Sequence, residues 1–240
     1  MPIDWNIQVF ASVESTQDLV RHGFEQGAEE GLVVQAMQQT KGRGRSGHDW
    51  VSSMGNLYMS FLLQPNCALE KAGQLAFVMG VGLSRALKSY IDPQDYTRQL
   101  KWPNDVLIND KKISGILLEG GGNGNYIVGM GVNILNAPDG GVCLKDIAHC
   151  PVYVNKVRDH ILDNISDAYH IWQENGFAPI REEWLSHVYG LNQPITARLP
   201  NETHEGVFEG IDENGALLLR QGNDVKVIHA ADVHFGLMER

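Results

Sequence analysis

Two stretches with a helical repeat of apolar residues, set among much shorter runs rich in β-branched residues, restrict the fold of this chain more than any other feature. Residues 70–91 and 153–176 place apolar side chains three and four positions apart, which predicts two long helices. Gly176 closes the second stretch, as expected of a helix end. Short apolar runs, such as residues 7–13 and 57–64, predict strands. The chain is therefore predicted to be α+β, with helices packed on a mixed sheet.

The pattern of apolar and turn-forming residues changes after residue 192. From there to residue 240, short β-like runs alternate with Gly, Asn and Asp, which is typical of a small β-barrel-like module. A chain of 240 residues with 43% hydrophobic residues is long enough for one domain and an appendage. We therefore predict a main domain over 1–192 and a small C-terminal β-module over 193–240.

Charge and cysteine usage exclude several classes of protein. The chain carries 19 basic and 29 acidic residues and a formal net charge of −10, which argues against a protein that coats nucleic acid. Its three cysteines show no C-x-x-C spacing, which fits a reducing compartment. The first ten residues lack a secretory signal, and no apolar run approaches a membrane span. We predict a cytoplasmic protein with neither a nucleic-acid nor a membrane partner.

The loop "TKGRGRSGHDW", residues 40–50, concentrates glycine and arginine on this acidic chain. Glycines let the backbone approach a ligand closely, and exposed N–H groups together with the guanidinium of arginine suit phosphate or carboxylate. The loop lacks the spacing of a Walker sequence. An anion site and a solvated turn are both compatible with this composition.

A second candidate is "KWPNDVLINDKKISGILLEG", residues 101–120, in which "NDKK" predicts a hairpin turn. Lys101 and Lys112 are possible phosphate cations, and Asp105 is a possible magnesium or hydroxyl partner. A plain hairpin is the alternative.

Other polar positions are weaker signals. Ser15 and Thr16 fit a helix cap better than a ligand site, and Asn133 is a polar residue in a predicted apolar strand that needs a partner. The nine histidines show no metal-ligand spacing, and no nucleophile motif is present. No metal site built from protein ligands alone is expected.

Taken together, "EST" (14–16), "QxxGRGRxGxxW" (39–50), "KWPND" (101–105), "KxxGIL.E" (112–119) and "GxGxN" (129–133) resemble the biotin protein ligase family in order and spacing. The tail "GIDENGALLL" (210–219) is similar to that family's C-terminal module. The resemblance implies a class II synthetase-like catalytic domain followed by an SH3-like β-barrel.

The resemblance also implies the reaction. Biotin and MgATP would give biotinyl-5′-AMP and pyrophosphate, and a lysine of a biotin carboxyl carrier protein or domain would then take the biotin and release AMP. The cofactors implied are ATP and Mg²⁺, with Mg²⁺ carried by ATP.

Some relatives carry an N-terminal DNA-binding domain. Only about fourteen residues precede "EST" here, so no repressor function is expected. Members of the family are known to dimerise through strand edges, so a homodimer is one alternative for the oligomeric state of this chain.

Matching positions imply site residues. Those expected to contact biotin are Ser15, Thr16, Gln17, Gln39, Arg43, Gly44, Arg45, Lys112 and Gly115. Those expected to contact ATP or the adenylate are Arg43, Arg45, Trp50, Asn104, Asp105, Lys112 and Asn133. Arg45 and Lys112 are the expected catalytic residues, and Arg45 is expected to retain the adenylate.

Some positions depart from the family's pattern. Gln17 stands where the family has Asn, His48 where it has a third basic residue, and Ser46 where a basic or apolar residue is common. Asp49 adds an acid next to the expected phosphate site. The hypothesis that follows is weaker binding of phosphate by that side of the loop, compensated by Lys41.

Two other functions are alternatives to a biotin protein ligase. One is a lipoate or octanoate transferase of the same superfamily, which the Gly/Arg loop and "KWPND" disfavour. The other is a ligand-binding regulator that has lost ligation.

Overall fold

The structure of the protein is a computed structural model that describes residues 3–65, 67 and 71–235. Its larger part is built on a mixed seven-stranded sheet. Its strands are β1 (Asn6–Phe10), β2 (Leu32–Ala36), β3 (Leu57–Leu63), β4 (Arg98–Lys101), β5 (Asp105–Ile108), β6 (Lys111–Gly122) and β7 (Asn125–Val132). They lie in the order β1-β2-β3-β7-β6-β5-β4. The β1–β2 pair is parallel and the other pairs are antiparallel.

Helices pack on both faces of this sheet. They are α1 (Thr16–Glu25), α2 (Gln74–Leu87), α3 (Leu144–Ile147), α4 (Val154–Asn175) and α5 (Phe177–Ser186). The helix predicted over 153–176 is confirmed and ends at Gly176, whose φ is 75°. The helix predicted over 70–91 is shorter than expected. After Leu87 the backbone donors of Lys88 and Ser89 bond three residues back, so the chain tightens into turns.

Strand β3 shows why one face of the sheet is left open. Its side chains alternate, so that Met59 and Phe61 enter the large core under α2 and α4. Leu62 points to the other face, into a small cluster with Val20 of α1 and Ile127 of β7. Helix α1 covers only that part of the second face. Further along the same face the strands carry serine and glycine instead of large apolar residues.

The predicted hairpin at "NDKK" is confirmed. Asn109 and Asp110 both have positive φ, 46° and 65°, and join β5 to β6. The register of this hairpin places Asp105 opposite Gly115. The next pairing places Gly115 opposite Gly131 of β7, so two predicted motifs meet in the middle of the sheet.

The C-terminal part forms a second, antiparallel sheet. Its strands are β8 (Pro194–Arg198), β9 (Thr203–Ile211), β10 (Leu217–Gln221), β11 (Asp224–Ile228) and β12 (Asp232–Phe235), in the order β11-β10-β9-β8-β12. The α+β class with a C-terminal β-module is confirmed. The indole N–H of Trp102 donates to the carbonyl of Gly215 at 3.0 Å, which joins this sheet to the first one.

None of the helices in the described part of the chain combines the length and the apolar character that a membrane crossing requires.

Candidate active-site cavity

The open part of the sheet face is the floor of a cavity of about 720 Å³. Ser60 of β3 lies opposite Gly129 of β7, and Gly131 of β7 lies opposite Gly115 of β6. Because these positions carry little or no side chain, other groups can approach the backbone of the floor closely. The walls come from the Gly/Arg loop, the turn between β4 and β5, the segment 138–141 and the C-terminal sheet.

All of the predicted site residues line this one cavity. They are Ser15, Thr16, Gln17, Gln39, Arg43, Gly44, Arg45, Trp50, Asn104, Asp105, Lys112, Gly115 and Asn133. The motifs are far apart in the sequence and converge here because β3, β7, β6 and β5 are neighbours in the sheet.

One end of the cavity is a neutral hydrogen-bonding cluster. The side-chain oxygen of Gln39 accepts from the backbone N–H of Thr16 at 2.8 Å and from its hydroxyl at 3.0 Å. The Thr16 hydroxyl also lies 2.7 Å from that of Ser60, and the Gln39 amide donates to the Ser52 hydroxyl at 3.2 Å. The interlocked bonds fix these side chains in place, without any formal charge.

Two buried polar atoms in the cavity have no hydrogen-bond partner among the described residues, namely the amide oxygen of Gln17 and the indole nitrogen of Trp50. Gln17 is 3% exposed and lies over Gly129, where an added Cβ would stand 3.0 Å from its Oε1. A buried polar atom without a partner costs free energy. A polar ligand that reached either atom would supply the missing partner.

Trp50 lies flat on the glycine floor. A Cβ built on Gly131 would stand 2.4 Å from the indole, and one on Gly115 would stand 2.9 Å from it. The Nζ of Lys112 is 5.4 Å from the centre of the indole, within cation–π range. Glycine at 115 and 131 is therefore what lets an aromatic ring approach the sheet.

The other end of the cavity is cationic. Lys112 pairs with Asp105 at 2.7 Å. Arg45 donates to the Asn104 side-chain oxygen at 3.2 Å and to the carbonyl of Ala231 at 3.4 Å. Lys101 also lines this end. Arg45 thus links the Gly/Arg loop to both sheets.

Burial acts on two of these cations. It lowers the pKa of the Arg45 guanidinium, an effect that Asp232 and Asp105 oppose. It also lowers the pKa of Lys101, with Asp105 opposing the shift and Lys112 adding to it. Partly desolvated cations bind an anion more strongly than exposed ones because the local dielectric is lower. This end of the cavity therefore suits phosphate or carboxylate.

Arg43 lines the cavity but is bonded elsewhere. Its guanidinium donates two hydrogen bonds to the carboxylate of Asp18, at 2.6 and 2.9 Å, and lies 3.9 Å from Glu119. The bond from Arg43 lowers the pKa of Asp18. Its predicted ligand contact stays a prediction, and the guanidinium would have to leave Asp18 to make it.

Asn133 braces the cavity wall. It lies one residue past the end of β7, whereas the sequence places it inside a strand. Its side-chain amide donates to the carbonyls of Lys112 and Val142, both at 3.3 Å. The partner that this buried polar residue needs is therefore the backbone around Lys112.

Of the positions that depart from the family's pattern, Gln17, His48 and Asp49 line the cavity. Lys41 pairs with Glu14 at 3.0 Å outside it, so the structure gives no support to Lys41 as a compensating phosphate cation. The helix-cap interpretation of Ser15 is wrong in its chemistry, because Ser15 precedes α1 but its side chain makes no capping bond.

Sequence reasoning missed several lining residues. Ser60 is one of them, and a serine in the apolar run "LYMSFLL" was a signal that could have found it. The others include Asp139, Gly140 and Gly141 in the first part of the chain, and Arg198, Asp232, Val233 and His234 in the second sheet. Nothing in a single sequence indicates that the second sheet closes the cavity.

Within the described residues, no three His, Cys, Asp or Glu side chains are grouped so as to hold a metal ion. Asp105 supplies a carboxylate at the cationic end, beside Lys112.

The fold and the cavity define an α+β protein that holds one small molecule, or two in line, between a neutral polar end and a cationic end. The family model described as "Biotin/lipoate A/B protein ligase family" matches residues 9–133, and the one described as "Biotin protein ligase C terminal domain" matches residues 190–236. The chain belongs to the biotin/lipoate A/B protein ligase family.

Individual relatives agree. The chain is 41% identical over 217 residues to a biotin--[acetyl-CoA-carboxylase] ligase of Paracoccus denitrificans, covering 85% of this chain and 90% of the relative. It is 35% identical over 237 residues to a bifunctional ligase/repressor BirA of Bacillus subtilis, covering 93% of this chain and 72% of the relative. The structure of a biotin protein ligase from Aquifex aeolicus in complex with biotin and ATP is similar with a TM-score of 0.84 at 30% identity, covering 96% and 99%.

Proposed function

We propose that this chain is an ATP-dependent biotin protein ligase. In the first step a biotin carboxylate oxygen attacks the α-phosphorus of ATP, the bond to the β-phosphate oxygen breaks, and pyrophosphate leaves. In the second step the amine of a carrier lysine attacks the acyl carbon of biotinyl-5′-AMP. An amide forms, AMP leaves, and the amine loses a proton.

The observation that carries this proposal is the difference in charge between the two ends of one cavity, of which one is neutral and the other cationic. The ureido ring of biotin is neutral and has two N–H donors and one carbonyl acceptor. The cluster of Thr16, Gln39 and Ser60 is also neutral and offers both donors and acceptors. Gln17 adds a buried acceptor without a partner. A head group of this kind satisfies these polar atoms without bringing a charge into the cavity.

The cationic end fits the reacting groups. Biotin carboxylate and the α-phosphate are both anionic, so they repel each other unless cations lie between them. Lys112, Arg45 and Lys101 are cations at this end, and Arg43 joins them when it is released from Asp18. Asp105 pairs with Lys112 at 2.7 Å and so limits where its Nζ can lie.

Catalysis in this cavity rests on position and charge. Two substrates aligned on the glycine floor react as if within one molecule. Preorganised cations stabilise the charge that develops on the phosphate oxygens. Trp50 and Asn133 are assigned to the nucleotide side because both adjoin Lys112. Mg²⁺ bound with ATP would neutralise phosphate charge, and Asp105, beside Lys112 at the cationic end, is the residue assigned to hold it.

The proposal extends to organisation and partners. Residues 1–192 are assigned to catalysis and 193–240 to the module that closes the cavity. The acceptor is a biotin carrier of a carboxylase, as the names of the relatives indicate, and the acetyl-CoA carboxylase carrier is our specific assignment. A homodimer and the absence of a nucleic-acid partner remain predictions.

The test is incubation of the chain with MgATP and an apo carrier domain, with biotin, lipoate or octanoate in separate reactions, followed by mass spectrometry of the carrier. We expect one biotinyl group on one lysine, and no comparable labelling by the other two acids. Labelling by lipoate or octanoate alone would instead support the transferase alternative. No labelling by any acid, with each acid still bound, would support a regulator that has lost ligation.

A further inference from the structure

Asn56, immediately before β3, anchors the segment that forms one wall of the cavity. Its side-chain oxygen accepts from three consecutive backbone N–H groups, those of Ile134, Leu135 and Asn136, at 2.9, 3.0 and 3.1 Å. Its side-chain nitrogen donates to the carbonyl of Asn136 at 2.9 Å. The residue is 5% exposed, so water cannot easily replace these bonds.

A further hydrogen bond joins the same two segments, this time with the donor on the segment that follows β7. The side-chain nitrogen of Asn136 donates to the carbonyl of Met54 at 2.9 Å. Gly55, between Met54 and Asn56, has a φ of 99°, and an added Cβ there would stand 3.0 Å from Leu135. The chain that leaves the Gly/Arg loop is thus attached directly to the chain that leaves β7.

The far end of the anchored segment is attached to Lys112. The backbone N–H of Val142 donates to the Lys112 carbonyl at 3.1 Å, and Asn133 donates to the carbonyls of both residues. Residues 138–141, between the two attachments, line the cavity beside Lys112. Asn56 therefore holds one end of a wall at the cationic end of the cavity.

We propose that Asn56 is a positioning residue for the nucleotide. It sets the course of residues 134–141 and so shapes the wall against which ATP lies, without contacting ATP itself. The inference rests on the proposed function, because that function places ATP at the cationic end. The neutral end, formed by Thr16, Gln39 and Ser60, bonds to other partners. Binding of biotin should therefore be insensitive to Asn56.

Steady-state kinetics of Asn56→Ala and Asn56→Asp test the inference. Alanine leaves three backbone donors without their acceptor, and we expect KM for MgATP to rise about tenfold or more. KM for biotin should stay within about twofold of wild type. Aspartate keeps the acceptor for the three N–H groups but places a carboxylate oxygen against the Asn136 carbonyl, so KM for MgATP should recover in part.

A matched control separates positioning from general weakening. Asn109 also accepts from a backbone N–H, that of Thr97 at 2.8 Å, and donates to the carbonyl of Asp95 at 3.1 Å, but it lies in the hairpin turn outside the cavity. Asn109→Ala should lower the unfolding temperature and leave both KM values unchanged.

Hydrogen exchange at amides 134–141 supplies a result that does not require biotinylation. We expect these amides to be protected by MgATP in the wild type, and faster exchange with weaker protection in Asn56→Ala. Equal rises in KM for MgATP and biotin, unchanged exchange, or failure of Asn56→Asp to recover KM for MgATP even in part would each overturn the inference. A wild type that protects these amides with MgATP but labels no carrier would count against the proposed function alone.

Discussion

Most polar side chains in the cavity already bond to another part of the chain. Gln39 uses both ends of its amide, on Thr16 and on Ser52. Asn104 accepts from Arg45 and donates to the carbonyl of Ile116. Side chains fixed in this way lose little conformational entropy when a ligand binds, so more of the interaction energy goes into affinity.

The pKa of Lys101 gives a prediction on pH. Burial lowers this pKa, so the amino group loses its charge at a lower pH than an exposed lysine, whose pKa is about 10.4. If Lys101 contacts phosphate, kcat/KM for MgATP should fall on the alkaline side, beginning below that value. Lys101→Arg should move the fall to higher pH, because a guanidinium keeps its charge above pH ~12. Identical pH profiles of kcat/KM for the wild type and Lys101→Arg would show that Lys101 does not cause the alkaline fall.

The residues were easier to predict than their contacts. Lys112, Arg45 and Gln39 were predicted from the resemblance to the family's motifs, and all of them line the cavity. The pairing of Arg43 with Asp18 does not follow from spacing, because it depends on how α1 lies against the Gly/Arg loop. For the same reason the sequence could not show that Asn133 bonds to the backbone of Lys112 and Val142.

Among the elements, the strands of the first sheet matter most because their glycines let other side chains approach the floor closely. Gly115 and Gly131 lie under Trp50, and Gly129 lies under Gln17 of α1. Alternation of side chains along a strand therefore decides both what packs under α1 and what faces a ligand.

Gly131→Ala tests the floor. An added Cβ would stand 2.4 Å from the indole of Trp50, and overpacking of this kind costs about 1–3 kcal/mol. Because the clash displaces Trp50, which is assigned to the nucleotide side, we expect the Kd for ATP to rise about tenfold. Gly120→Ala, on β6, is the control, because nothing lies within 4 Å of its added Cβ and ATP affinity should not change. Calorimetric titration measures both, and equal affinities in the two variants would contradict a glycine floor.

The Gly/Arg loop is the second element that matters, and Arg45 fastens it to both sheets through Asn104 and Ala231. Arg45→Gly removes both bonds and one cation. We expect this variant to release biotinyl-5′-AMP, so that lysines of an unrelated protein in the reaction become biotinylated.

Lys41→Ala is the matched loop variant, since Lys41 pairs with Glu14 outside the cavity and should leave labelling confined to the carrier. Mass spectrometry of the bystander protein decides the outcome. A bystander that stays unlabelled with Arg45→Gly would argue against retention by this residue.

The elements themselves followed from the sequence where periodicity is strong. The helix before Gly176 and the hairpin at Asn109 and Asp110 were predicted correctly. The helix over 70–91 was predicted too long, because its apolar repeat continues past Leu87 while the backbone tightens into turns.

For the molecule as a whole, the two sheets share one apolar core. Ile195, Phe208 and Leu217 of the second sheet belong to the same buried cluster as the residues under α2. Trp102 and Arg181 add hydrogen bonds to Gly215 and Ile211. A boundary near residue 192 would then separate two sheets that are stable only together.

Calorimetry tests this joint stability. The full chain should unfold in one cooperative transition, with equal calorimetric and van't Hoff enthalpies. Two resolved transitions would show that the sheets unfold independently and that the shared core contributes little. Neither the composition nor the turn spacing that suggested the module indicates how it packs, because docking depends on side chains from both sheets.

The central claim is that one cavity brings biotin and ATP together so that they condense. Native mass spectrometry of the chain with biotin and MgATP, without any carrier, tests it most directly. The account predicts one biotinyl-5′-AMP retained per chain, formed only when both substrates are present, with release of one pyrophosphate. Biotin and ATP bound together without condensation, or an adenylate that forms without being retained, would contradict it.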